Sequence, residues 1–175
     1  MPFSNLGLSQ KINKALDENT YKNPTVIQER VIPLVLENKD IMAKAQTGSG
    51  KTASFVLPIL QLLLNKEEDK EHKGKAKIST LVLTPTRELA LQVSKAFTDF
   101  SIHFVNKPKV VSVIGGESLT QQLLDIQKGC DIVVATTGRL LDILDKKQLN
   151  LSNLEFFVLD EADKMLDLGF EIELE

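Results

Sequence analysis

Apolar residues in this chain gather into short unbroken runs that alternate with stretches of helical period. Runs at 40–45, 79–84, 110–114, 131–135 and 155–160 have the character of buried parallel strands. Between them the spacing predicts helices over 9–19, 25–37, 51–64, 87–104, 119–128 and 139–147. This alternation predicts an α/β fold, a parallel sheet with crossover helices on both faces. The segment KEEDKEHKGKAK, Lys66 to Lys77, mixes charges without an apolar period and is expected to be a solvated loop.

The candidate chemistry lies at the ends of two of these strands. AQTGSGKT occupies 45–52, after the first apolar run and at the start of a helix. Gly48, Ser49 and Gly50 carry little or no side chain, so consecutive amides can turn inward around a triphosphate. Lys51 can reach the terminal phosphates, the positive end of its helix adds to the attraction, and the Thr52 hydroxyl is placed for the accompanying magnesium ion. The alternative is an ordinary glycine turn, and Ala45 stands where the general pattern has glycine. The second cluster is LDEAD, at 159–163. Successive strand residues point to opposite sides, so Asp160 and Glu161 can divide the work. Asp160 is expected to hold magnesium and Glu161 to orient and deprotonate the attacking water. Alone, these acids are a charged strand end; beside the glycine loop they predict a nucleotide triphosphatase. Thr25 and Gln28 have capping-box spacing, and on the tetrapeptide alone a helix start is the better reading. The Gln28 carboxamide also holds the donor and acceptor that match the edge of adenine.

YKNPTVIQ at 21–28, AQTGSGKT, PTRELA at 85–90, Gly115-Gly116, TTGR at 136–139 and DEAD at 160–163 follow one another in order. In this ordered set the chain resembles, over essentially its whole length, the amino-terminal RecA-like domain of a DEAD-box RNA helicase. The resemblance implies a RecA-like P-loop NTPase domain using ATP and Mg2+. It divides the chain into an adenine-recognition helical region, 1–38, and an ATP-binding domain, 39–175. It assigns Gln28 to the adenine base, with Tyr21 packing on the ring and Phe3 supporting the pocket. Thr47, Gly48, Ser49, Gly50, Lys51 and Thr52 then cradle the phosphates. Pro85, Thr86, Arg87, Gly116, Thr136, Gly138 and Arg139 hold one RNA strand by its backbone, which positions a strand without reading its sequence. Thr20 replaces the family's usual glycine and Thr137 its usual proline; the Thr137 hydroxyl is a candidate cap for the following helix. The family continues into a Ser-Ala-Thr motif, on a strand between the glycine-loop strand and the DEAD strand, and into a second RecA-like domain. The chain is therefore expected to be a fragment that binds nucleotide at best, with unpaired strand edges. A different P-loop enzyme such as a DNA translocase, or a non-catalytic RNA-binding module, are the alternatives.

Composition alters little. At 175 residues, 42% hydrophobic and 26% charged, the chain is long enough for a real core, and its net charge of −3 does not advertise nucleic-acid binding. A local basic patch can still serve. The single cysteine, Cys130, excludes an internal disulfide and is expected to be buried, and His72 and His103 lack metal-ligand spacing. No signal peptide, membrane-spanning run or internal repeat is visible, so a cytoplasmic location is expected.

Overall fold

The computed structural model describes residues 2–68, 76–146 and 148–169. Four strands, β1 (Thr80–Thr84), β2 (Val110–Val113), β3 (Ile132–Thr136) and β4 (Phe156–Leu159), form one parallel sheet in the order β2-β3-β1-β4. Thr80 is in register with Ile132 on one side and with Phe156 on the other, and Val110 with Ile132. The helices are α1 (Gln10–Glu18), α2 (Val26–Leu36), α3 (Lys51–Glu68), α4 (Arg87–Phe100), α5 (Leu119–Gln127), α6 (Thr137–Asp145) and α7 (Ala162–Asp167), after a 3-10 turn at Phe3–Asn5. The chain divides into two compact units, Met1–Lys73 with Ala96–Lys107, and Gly74–Lys95 with Pro108–Glu175.

The second unit contains the sheet. All of β1 is buried, as an inner strand of a parallel sheet requires. Strand alternation puts Leu81, Leu83, Val111, Val113, Val133 and Ala135 on one face, where they pack with Leu119 and Leu123 of α5, Leu140 and Ile143 of α6 and Met165 of α7. The other face carries α4, whose Ser94 hydroxyl bonds that of Ser112 at 2.8 Å. Helices thus cover both faces. At the β4 edge the pattern changes: Phe157 is 55% and Leu159 40% exposed, although they align with the buried Leu81 and Leu83. Cys130 is buried, and burial pushes its thiol pKa up to about 11.

In the first unit α2 packs along α3. Ser9 caps α1, accepting from the Ile12 amide at 3.4 Å, and its own amide donates to Gln61 on α3 at 2.6 Å. Both α1 and α2 end in Schellman turns. Thr20 and Asn38 take left-handed φ of 63° and 58°; Tyr21 N–H returns to the Leu16 carbonyl at 2.9 Å and Lys39 N–H to Leu34 at 3.1 Å. His103 does not stand alone, since its Nε2 meets Glu18 at 2.7 Å.

Three expectations need correction. Residues 40–45 form no strand; the segment runs without ladder bonds, with Ile41 and Met42 exposed. An apolar run becomes a strand only where a neighbouring strand pairs with its backbone, and among the described residues no strand does so here. The solvated loop begins later than Lys66, because α3 continues to Glu68; His72 and the remainder of 69–75 lie outside the described residues. Thr137 does not cap α6. It is the first residue of that helix, Thr136 holds the cap position, and the Thr137 hydroxyl is buried without a hydrogen-bond partner.

Candidate functional site

The first unit gathers one constellation around the turn between Asp40–Ala45 and α3. Gly48 and Gly50 adopt φ of 80° and 86°, which the turn of AQTGSGKT requires and a side chain would strain. A Cβ at Gly48 would meet open space, whereas one at Gly50 would collide with Gln28 Nε2 and lie 3.1 Å from Thr25 Oγ1. Ser49 Oγ is buried with no partner, and its amide donates to the Gln46 carbonyl at 3.2 Å. Lys51 Nζ folds back onto the Ala45 carbonyl at 2.8 Å, so the loop closes on its own lysine. The arrangement offers a cation held by a replaceable carbonyl and a buried hydroxyl without a bond, a set suited to phosphate oxygens.

Gln28 stands behind this loop and is 1% exposed. Its Oε1 accepts the Thr25 amide at 2.9 Å, closing the capping box of α2, and its Nε2 donates to the Gly50 carbonyl at 3.0 Å. The capping role that the tetrapeptide suggested is therefore real. Each end of a carboxamide has two bonding positions, and these two bonds occupy one at each end. Tyr21 is 39% exposed, with its ring edge-on to Phe100 at a centroid distance of 5.3 Å; Phe3 is buried. An open depression of 360 Å³ has Thr25, Ile27, Arg30, Lys44 and Ser49 among its walls, rather than Tyr21 and Gln28.

The second unit brings three motif segments together at the carboxyl ends of β1, β2 and β3. Thr86 caps α4, its hydroxyl accepting from the Leu89 amide at 3.3 Å, and Arg87 opens that helix. The Arg87 guanidinium lies against Gly116, whose φ is 77°. Arg139, in the first turn of α6, donates to the Glu117 carbonyl at 3.2 Å. Pro85, Thr136 and Gly138 sit at the same strand ends, and Gly138 has nothing near the place of a Cβ. Sequence spacing gave no sign of the Arg87–Gly116 or Arg139–Glu117 contacts, which arise only from the pairing of β1, β2 and β3.

Asp160 and Glu161 follow β4. Asp160 is 6% exposed and its amide continues the ladder to the Leu83 carbonyl at 2.9 Å. Glu161 takes left-handed angles, φ 55° and ψ 47°, at the cap of α7, a strained conformation of the kind that collects at functional positions. Its carboxylate meets Lys164 Nζ at 2.6 Å, and that hydrogen bond raises the lysine pKa. Among the described residues no three His, Cys, Asp or Glu side chains cluster as a self-sufficient metal site.

Comparison with known proteins agrees with these motifs. A profile of the DEAD/DEAH box helicase family matches residues 25–175. The chain is 48% identical over 168 residues to the ATP-dependent RNA helicase DeaD of Escherichia coli K12, covering 96% of this chain and 25% of that protein. It is 42% identical over 168 residues to the RNA helicase CrhR of Synechocystis, covering 96% of this chain and 32% of that one. The crystal structure of a DEAD box protein from the hyperthermophile Methanococcus jannaschii superposes with a TM-score of 0.87 at 39% identity, covering 99% of this chain and 45% of that chain. The chain thus spans about a third or less of the length of these two helicases. With the profile matching most of its length and the glycine loop, Gly115-Gly116 and DEAD segments all in place, the chain belongs to the DEAD/DEAH box helicase family.

Proposed function

We propose that this chain is the amino-terminal RecA-like domain of an ATP-dependent RNA helicase. It binds ATP with magnesium, holds single-stranded RNA by its backbone, and separates short duplexes when joined to a second RecA-like domain. The observation that carries the reading is the closed glycine loop, with Lys51 parked on the Ala45 carbonyl at 2.8 Å and Ser49 Oγ unpartnered. Phosphate oxygens would replace that carbonyl as the partner of Lys51 and accept from the loop amides of Thr47 to Lys51. Gln28 reads the adenine with its remaining donor and acceptor, and Tyr21 packs on the ring. Region 1–38 then serves the base and 39–175 the phosphates and the RNA.

Thr52 and Asp160 would hold magnesium; a hydroxyl and a carboxylate are the hard oxygen donors it takes, with water and phosphate completing the shell. When bound, the ion neutralises charge that develops on the phosphates. Glu161 orients and deprotonates the attacking water, and to do so its carboxylate must exchange the Lys164 ammonium for that water. Arg87, Thr86, Pro85, Gly116, Thr136 and Gly138 form the RNA-facing surface. Recognition through phosphate and 2′-hydroxyl is weakly sequence-specific and falls with salt. The free edge of β4, with Phe157 and Leu159 exposed, is where a further strand such as the Ser-Ala-Thr strand would add. No helix among the described residues is long and apolar enough to cross a membrane, and we place the protein in the cytoplasm.

The test is ATP hydrolysis and unwinding of a short RNA duplex by the full gene product. Both should require RNA and ATP and be lost in Lys51→Ala and Glu161→Gln. Unwinding that survives Lys51→Ala would point to the non-catalytic module; equal preference for guanine nucleotides would remove the adenine assignment.

A further inference from the structure

The loop joining β2 to α5 is short, is exposed from Gly116 to Ser118 and carries two adjacent glycines, so little in its own chemistry fixes its centre. Its ends are tied from α5: Gln122 Nε2 donates to the Ile114 carbonyl at 2.9 Å, and the Ser118 hydroxyl accepts the Gln121 amide at 3.3 Å. The centre is held from elsewhere. Arg139 Nη2 reaches across from α6 to the Glu117 carbonyl at 3.2 Å. The residue before, Gly116, is where Arg87 rests: a Cβ there would collide with Nη1 and stand 3.0 Å from Cζ. Arg139, Glu117, Gly116 and Arg87 therefore form one chain of contacts, with a guanidinium at each end.

We propose that Arg139 is a positioning residue of the RNA surface rather than one of its phosphate ligands. Its donor fixes the Glu117 carbonyl, the fixed loop sets the height of Gly116, and Gly116 sets where the Arg87 guanidinium lies to meet a phosphate. This rests on the RNA-binding reading above for its consequence, but the link from Arg139 to the loop exists without RNA.

Two measurements on the full gene product decide it. In RNA-free protein, the order parameters of Gly116 and Glu117 from backbone amide relaxation should fall from about 0.85 toward about 0.6 in Arg139→Met, because the contact that holds the Glu117 carbonyl is lost. Arg139→Lys, which keeps a cationic donor, should restore most of the order and also shows that a change at this position folds. Unchanged order parameters in Arg139→Met overturn the proposal. Next, a labelled single-stranded RNA of mixed sequence is titrated with a non-hydrolysable ATP analogue present. Arg139→Met should weaken binding roughly fivefold to tenfold in the wild-type background and less than about twofold when Arg87 is already alanine, because residues acting through one another are not additive. The slope of log affinity against log salt should match between Arg87→Ala and the double variant. Equal losses in both backgrounds, with the slope falling by about 0.7 on removal of Arg139, would make it a phosphate ligand and overturn the proposal. If the wild type binds no RNA, or Arg87→Ala leaves its binding unchanged, the RNA reading fails; the order parameters still decide whether Arg139 holds the loop.

Discussion

Gln28→Ala separates the structural role of this side chain from the adenine contact proposed for it. The carboxamide is nearly inaccessible, accepts the Thr25 amide at 2.9 Å and donates to the Gly50 carbonyl at 3.0 Å. Losing the capping box costs ~1 kcal/mol, and leaving the Gly50 carbonyl without its donor costs ~1–3 kcal/mol if no water replaces it. Thr25 is exposed and Gly50 half-buried, so water recovers part of both bonds and the lower half of the range applies, about 2 kcal/mol. For a chain of this size that lowers the midpoint of thermal unfolding by about 4–8 °C. The assay is calorimetric melting of nucleotide-free protein, followed by ATP and GTP titrations. Gln28→Glu keeps the acceptor for Thr25 but sets an oxygen against the Gly50 carbonyl, so it should melt no higher than the alanine variant. A nucleotide-free midpoint within about one degree of wild type in Gln28→Ala would refute the structural role. Losses of ATP and GTP affinity in equal proportion would refute base reading, because uniform weakening reports a deformed loop and not a missing adenine contact.

Three further outcomes follow from named strain and burial. Thr20 is β-branched at a φ of 63°, a conformation costing ~1–2 kcal/mol, part of which glycine returns through its freedom in the unfolded chain. Thr20→Gly should therefore raise the melting midpoint by about 1–4 °C, and a lower midpoint would show that the turn is not strained. Thr137 occupies the first turn of α6 with an orphaned hydroxyl, behind Thr136 at φ −88° and ψ 146°, angles a residue before proline accepts. Thr137→Pro should stabilise the protein by ~1 kcal/mol in urea unfolding, and destabilisation would mean the Thr137 amide is needed. Cys130 is buried and its thiol pKa pushed up to about 11 from 9.0, so at pH 8 its thiolate fraction is roughly 100-fold below that of a free thiol. A thiol reagent should label the protein only in denaturant; fast labelling of the native state would refute the packing around β3.

What the sequence disclosed, and what it withheld, divides by whether a feature is local. β1 and β3 are continuous apolar runs because both of their faces are covered, and the helices carry their periods openly, so both were legible. The glycine loop was legible for the same reason: positive φ at Gly48 and Gly50 is written in the residue type. Asn38 hints at its own helix-ending turn, while Thr20, in the same geometry, gives no hint, since its conformation is imposed by the Schellman bonds that bring Tyr21 back to Leu16. Gln28 shows how a local pattern can carry a long-range contact as well. The carboxamide oxygen closes the cap on the Thr25 amide and the nitrogen holds the Gly50 carbonyl, so a residue that the spacing marks only as a helix start also ties α2 to the glycine loop. The run at 40–45 makes the reverse point. Its composition is that of a strand, yet backbone pairing is a property of two segments, and this one, with Ile41 and Met42 exposed, pairs with no other strand among the described residues. The contacts of Arg139 belong with this last class. No spacing rule joins 117 to 139, and only the parallel register of β2 with β3 carries the two within a hydrogen bond of each other.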